Sequence, residues 1–229
     1  ASNAVAFDLT AACSGFLFAL ITASQFLKGG NFKRAVVIGA DQLSSFVDWN
    51  DRRSCILFGD GAGALTIEAT NEFDNFIGFD MRTDGERGCF LNLPSKNNKD
   101  SIIDNIDFLS GAFSPIQMNG QEVYKFAVRE VPIILEKLFK KMNYTSNEVD
   151  WLVLHQANQR ILDSVGDRLK IPREKILSNL EKYGNTSAAT IPLVMDEAIR
   201  NNRIKQNDII ATSGFGAGLS WGAALIKWG

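Results

Sequence analysis

Apolar and polar positions follow one another along the chain in blocks that predict alternating strands and helices. Val5 to Leu9 is a short apolar run, read as a strand, that leads into Ala11-Ala12-Cys13-Ser14-Gly15. Phe16 to Leu27 is longer and ends at Lys28-Gly29-Gly30, which predicts a helix with a glycine stop. Ala35 to Gly39 is short and β-branched, the pattern of a fully buried strand. Ser54 to Glu68 reads as strand, glycine turn, strand, the turn lying at Gly59 to Gly63. Residues 71 to 115 are mixed, and the polar stretch from Pro94 to Asp100 reads as an exposed loop.

The second half begins near Met118. Gln121 to Met142 has a helical apolar stripe interrupted by Pro132, where a kink is expected. Asp150 to Leu154 predicts a buried strand. Gln156 to Leu169 predicts a helix, with Ile161, Leu162, Val165 and Leu169 at helical spacing. Ser187 to Asn201 is a further helix, Asp208 to Thr212 a strand, and Gly218 to Trp228 a closing strand. Strands alternating with helices indicate an α/β fold.

Two stretches share one grammar. Cys13 precedes a helix, Lys33 and the strand AVVIG; Asn185 precedes a helix, Lys205 and the strand NDIIA, at matching separations. Each then runs into a glycine-rich segment. An internal duplication is the expectation, with Cys13 and Asn185 as counterparts.

Composition narrows the chemistry. With 24 basic and 26 acidic residues the net charge is −2, unlike a broad basic nucleic-acid surface. No apolar run approaches the roughly 18 residues of a membrane span, and no basic segment precedes an apolar core at the front, as a secretory signal requires. Three cysteines and one histidine provide neither a disulfide framework nor zinc-ligand spacing.

Cys13 stands where the positive end of a helix dipole and backbone N–H groups would favour thiolate, a nucleophile toward acyl groups; a buried structural cysteine fits the same position. Cys55 and Cys89 lack that setting. His155, at the end of a predicted strand, lies where α/β sheets bind ligands and can move protons near neutral pH, unless it is structural. Asn185 can stabilise an oxyanion or cap a helix. The turn Gly214 to Gly218 offers backbone N–H groups for an oxyanion hole or closes a hairpin. Neither glycine segment has phosphate-loop spacing. Arg52, Arg53 and Arg160 can pair with phosphate or remain solvated.

Taken together, AACSG around Cys13, LHQAN around His155, YGNTSAAT around Asn185, GFGAGLSWG near the end, DWNDR and FGDGAGA resemble β-ketoacyl-acyl carrier protein synthase III. The resemblance covers essentially the whole chain. It implies a thiolase-like duplicated α/β fold with helices layered on mixed five-stranded sheets. Residues 1–115 would be the remainder of an N-terminally truncated first half, and 116–229 the second half. Family members carry a longer lead before this cysteine, so the chain reads as a fragment; Ser2-Asn3-Ala4 resembles an expression scar and equally resembles a native loop before this strand.

The resemblance further implies a catalytic triad of Cys13, His155 and Asn185, with an oxyanion hole from the N–H groups of Cys13 and Ala217. The family commonly has glycine at the latter position. Cys13 would accept an acetyl or similar short acyl group from acyl-CoA. His155 and Asn185 would then support decarboxylation of malonyl-acyl carrier protein, initiating fatty acid synthesis. Elongating relatives use two histidines, and this chain has one. Arg52 would meet the CoA nucleotide, and Met118, Gly120, Tyr124, Asn158 and Arg160 would line the pantetheine channel. Phe58 and Phe215 would border the acyl pocket and the cysteine, and Lys125 with Arg160 would receive the carrier protein. The family implies a cytoplasmic homodimer with acyl-CoA as substrate, no resident cofactor or metal, and no nucleic-acid or membrane partner. A type III polyketide synthase shares the triad and is the second enzymatic reading. A non-catalytic thiolase-fold subunit or inactive fragment is the third.

Overall fold

The computed structural model describes residues 3–70, 74–95, 99–103, 106–109 and 113–229. Helix α1 (Gly15–Lys28) is followed by strands β1 (Arg34–Gln42), β2 (Asp60–Glu68) and β3 (Phe76–Thr83). Short pairs follow: β4 (Leu91–Asn92) with β7 (Gln117–Met118), and β5 (Lys99–Ile103) with β6 (Ile106–Leu109). The rest comprises α2 (Gly120–Met142), β8 (Trp151–Leu154), α3 (Gln159–Leu169), α4 (Leu180–Tyr183), α5 (Thr190–Arg200), β9 (Ile209–Gly216) and β10 (Ser220–Lys227).

Strands β3, β8, β9 and β10 form one sheet in the order β3-β10-β9-β8, with β8 parallel to β9 and the other pairs antiparallel. Its pleat sends alternate side chains to opposite faces. Leu152, Leu154, Ala223 and Leu225 pack with Phe126, Leu135 and Leu162 of α2 and α3. Val153, Ile210 and Ala224 pack with Leu17 and Leu20 of α1 and Val194 of α5. Each buried Leu, Ile, Val or Phe among them contributes about 1.5–3 kcal/mol relative to exposure. On the far side of α1 and α5 lies the antiparallel pair β1-β2. The layers therefore run helix, sheet, helix, sheet. The outer face of β1 carries Val36 and Ile38, each 63% exposed.

Among the described residues the sheets hold four and two strands rather than the five expected. A parallel bridge from Leu152 to Ile176 adds a single residue beside β8. β3 lies at residues 76–83, before the expected boundary at 115, yet it hydrogen-bonds to β10. The expected loop from Pro94 to Asp100 falls partly outside the described residues, and Lys99 and Asp100 belong to β5.

Three local expectations are corrected. Val5 to Leu9 forms no strand and pairs with none among the described residues; Phe7 sets its ring against Phe26, 6.1 Å between centroids. Gly59 to Gly63 is not a turn, since β2 runs straight from Asp60 to Glu68. Its glycines serve close packing: a Cβ at Gly63 would sit 2.9 Å from Pro192 Cβ of α5. The helix expected from Gln156 starts at Gln159, because the Asn158 side chain accepts the Ile161 N–H at 3.0 Å and caps it there. Helix α2 is continuous through buried Pro132, capped by Asn119 and closed by Asn143 at φ 58°.

Candidate active site

Cys13 lies in a single turn of 3₁₀ helix, Ala12–Ser14, that opens into α1. The end of β9 presses on it. A Cβ at Gly216 would lie 2.6 Å from Cys13 N and 3.0 Å from its Cβ, so glycine is required for the approach. Ala217 follows in the turn toward β10. Beside Cys13, a second 3₁₀ turn, Ser187–Ala189, opens into α5. Its Ser187 hydroxyl donates to Cys13 Sγ at 3.3 Å.

Asn185 precedes that turn. Its backbone is fastened to the segment at Phe58: Asn185 N–H donates to Leu57 O, and Gly59 N–H donates to Asn185 O, both at 2.9 Å. Its Oδ1 accepts the Ser187 N–H at 2.9 Å, which leaves the NH₂ end as the donor it offers. His155 follows β8, anchored by its N–H to Ser213 O at 2.8 Å. Its Nδ1 pairs with the Thr190 hydroxyl at 2.7 Å, and its ring meets Phe215 edge-on at 5.2 Å. Cys13, Asn185 and His155 are thereby joined through Ser187 and Thr190, because Thr190 Oγ1 also donates to Ser187 O at 2.8 Å.

Burial decides the charge states. Desolvation pushes the Cys13 thiol up to about 11, against the lowering effect of the Ser187 hydroxyl. The expected thiolate at the helix start is therefore corrected: the resting group is a thiol, since loss of water outweighs the hydrogen bonds that favour thiolate. Desolvation also lowers His155 to about 3, so its imidazole is neutral.

The other expected residues divide by place. Met118 and Gly120 line a cleft of 520 Å³ together with Arg53 and Cys89. Gly120 also borders a 610 Å³ cleft with Tyr124, Lys125, Asn158 and Arg160. The two clefts thus meet at the start of α2. Arg160 stacks over the Tyr124 ring at 5.3 Å, and Lys125 is paired with Glu122 at 2.7 Å. Phe58 and Phe215 lie deeper, beside Asn185 and His155. Arg52 is exposed on the turn before Ser54, and its neighbour Arg53, ion-paired to Asp51, is the one that lines the cleft. Ser187, Thr190 and Gly216 were not singled out by sequence, although all three stand inside the quoted motifs.

Residues 7–85 match the family 3-oxoacyl-[acyl-carrier-protein (ACP)] synthase III, and residues 139–228 match its C-terminal region. The chain is 93% identical over 229 residues to the beta-ketoacyl-[acyl-carrier-protein] synthase III of Prochlorococcus marinus strain MIT 9312, covering all of this chain and 68% of that protein. The chain belongs to this synthase III family. Among solved structures, that of the Aquifex aeolicus VF5 family member superposes with a TM-score of 0.88 at 38% identity, covering 99% of this chain and 68% of the other. The Pseudomonas aeruginosa PAO1 enzyme gives 0.88 at 32% identity, covering 98% and 67%. The resemblance drawn from the motifs is borne out, as is the thiolase-like α/β fold, and the family makes this the chain of an acyltransferase-type condensing enzyme. No helix among the described residues is long and apolar enough to cross a membrane.

Proposed function

We propose that the site performs the initiating condensation of fatty acid synthesis in two half-reactions at Cys13. In the first, Cys13 sulfur attacks the thioester carbonyl of a short acyl-CoA. The sulfur–carbon bond to CoA breaks, CoA leaves as its thiol, and the acyl group remains on Cys13. The thiol proton, held at rest because the group is buried, must pass to a base, and neutral His155 is the titratable base of the cluster. The N–H groups of Cys13 and Ala217 are the donors for the oxyanion.

In the second half-reaction malonyl-acyl carrier protein loses carbon dioxide. The electron pair of the broken carbon–carbon bond passes into a thioester enolate, which the Asn185 NH₂ and the His155 Nε2–H stabilise. The enolate carbon attacks acyl-Cys13, the carbon–sulfur bond breaks, and one proton restores the thiol. The product is 3-ketoacyl-acyl carrier protein. Decarboxylation supplies the carbanion, so no strong base is needed. The clefts at Gly120 suit a pantetheine arm, with Arg53, Lys125 and Arg160 at their rims. The dimeric, cytoplasmic setting belongs to this same proposal.

One observation carries the reading: Cys13, Asn185, Thr190 and His155 are buried and joined by hydrogen bonds through the side chain and backbone of Ser187. The test is sequential incubation of the full-length enzyme with labelled acetyl-CoA and malonyl-acyl carrier protein. Label should appear on Cys13 and then in the 3-ketoacyl product. An enzyme active in turnover that never carries label on Cys13 overturns the proposal.

A further inference from the structure

The duplication has a register that element boundaries define more sharply than sequence. The 3₁₀ turns begin at Ala12 and Ser187, the helices at Gly15 and Thr190, and the strands at Arg34 and Ile209, all at one constant separation. Ala12 and Ser187 share a positive φ, 47° and 52°. On this register the counterpart of Cys13 is Ala188, not Asn185 as the sequence spacing had implied. Gly39 corresponds to Gly214, and Asp41 to Gly216.

The contacts obey the same symmetry. Gly214 and Gly216 of β9 lie against Ser14 and Cys13. Reciprocally, Gly39 of β1 lies against Ala188, with a Cβ there falling 2.8 Å from the Ala188 carbonyl carbon. Each strand end faces the backbone of the other half's turn. At one position the symmetry fails. Asp41 Oδ2 accepts the Ala188 N–H at 3.0 Å. Its counterpart, Gly216, has no side chain to set over the Cys13 N–H.

We propose that Asp41 is a positioning residue for the condensation half-reaction. Its carboxylate occupies the backbone N–H that corresponds to the oxyanion donor, and so fixes the Asn185–Thr190 turn. Gly216 leaves the matching N–H over Cys13 open for the acyl oxygen. This rests on the function proposed above. The turn that Asp41 holds carries the Asn185 carboxamide, the Ser187 hydroxyl and the Thr190 hydroxyl paired with His155. A carboxylate beside the nucleophile also opposes thiolate formation. Activation of Cys13 therefore does not explain its presence, whereas holding Ala188 does.

The test compares Asp41→Ala and Asp41→Asn in the full-length enzyme, measuring the two half-reactions separately. Decarboxylation of malonyl-acyl carrier protein should fall about tenfold or more in Asp41→Ala through kcat, with acylation of Cys13 from acetyl-CoA held within about threefold. Asp41→Asn, whose amide oxygen still accepts the Ala188 N–H, should recover most of the loss. Equal loss of both half-reactions, an unchanged decarboxylation rate, or an Asn variant no better than Ala overturns the proposal. Should Asp41→Ala fail to fold, Asp41→Ser against Asp41→Asn gives the same comparison. A wild-type enzyme that never acylates Cys13 would overturn the function instead, so the two failures are distinguishable.

Discussion

His155 Nδ1 and Thr190 Oγ1 lie 2.7 Å apart in a region closed to water, so the threonine hydroxyl governs which ring nitrogen carries the proton. When Nε2–H must donate to a substrate carbonyl, Nδ1 needs a donor, and the Thr190 hydroxyl can turn to supply one. Ser187 O still keeps the Thr190 backbone N–H. When Nε2 must take a proton, the hydroxyl points to Ser187 O and accepts from Nδ1. Thr190→Val preserves shape and removes both options, leaving a buried nitrogen unpaired at about 1–3 kcal/mol. Condensation should slow roughly ten- to a hundredfold with an altered pH profile, and Thr190→Ser should restore it. Unchanged kinetics in the valine variant would contradict this role.

The two shifted groups predict opposite slopes of stability against pH. His155 sits at about 3 when folded, against an ordinary 6.5. Between those values the unfolded chain binds the extra proton, so stability falls as pH drops, by about 1.4 kcal/mol per unit. Cys13 sits at about 11 against 9.0, so between pH 9 and 11 the unfolded chain loses its proton first and stability falls as pH rises. Denaturant titrations should show His155→Gln flattening the acid limb and Cys13→Ser flattening the alkaline one.

Glycine at the two strand ends is expected to be irreplaceable for different reasons. Gly39→Ala drives a methyl into the Ala188 backbone, which cannot yield as a side-chain tip would. Overpacking of this kind costs about 1–3 kcal/mol, visible as a lower midpoint in urea. Gly216→Ala pushes against Cys13 N and should abolish acylation of the thiol even in molecules that remain folded. Normal acylation in that variant would exclude Gly216 as the wall of the oxyanion site.

In the packing, Leu135 is fully buried between α2 and the four-stranded sheet. Leu135→Ala should cost about 2–5 kcal/mol in thermal or urea unfolding. It should leave the kinetics of the surviving folded enzyme near wild type, since Leu135 makes no contact with the reacting groups.

Much of this site was legible in sequence because its residues stand at element boundaries, where strand, turn and helix signals change together. Cys13, His155 and Asn185 each sit at such a change. β3 was not legible: its residues are mostly half-buried at a sheet edge, so neither face of the strand is marked by a clear apolar row. The glycines of β2 read as a turn in the sequence, because glycine chosen for a close helix contact looks the same as glycine chosen for a positive φ. The duplication was visible, but its register was offset, since matching lysines and apolar runs align sequence rather than backbone. Ser187 and Thr190 acquire meaning only when two distant turns face each other.

The buried thiol has a consequence for oxidative damage. Peroxide attacks thiolate, and the resting Cys13 offers almost none at neutral pH. Cys89, exposed at the mouth of the first cleft, meets oxidants without that shield. A peroxide pulse is therefore expected to modify Cys89 before Cys13. Under the proposed mechanism, Cys13 becomes vulnerable only in the interval when its proton has passed to His155.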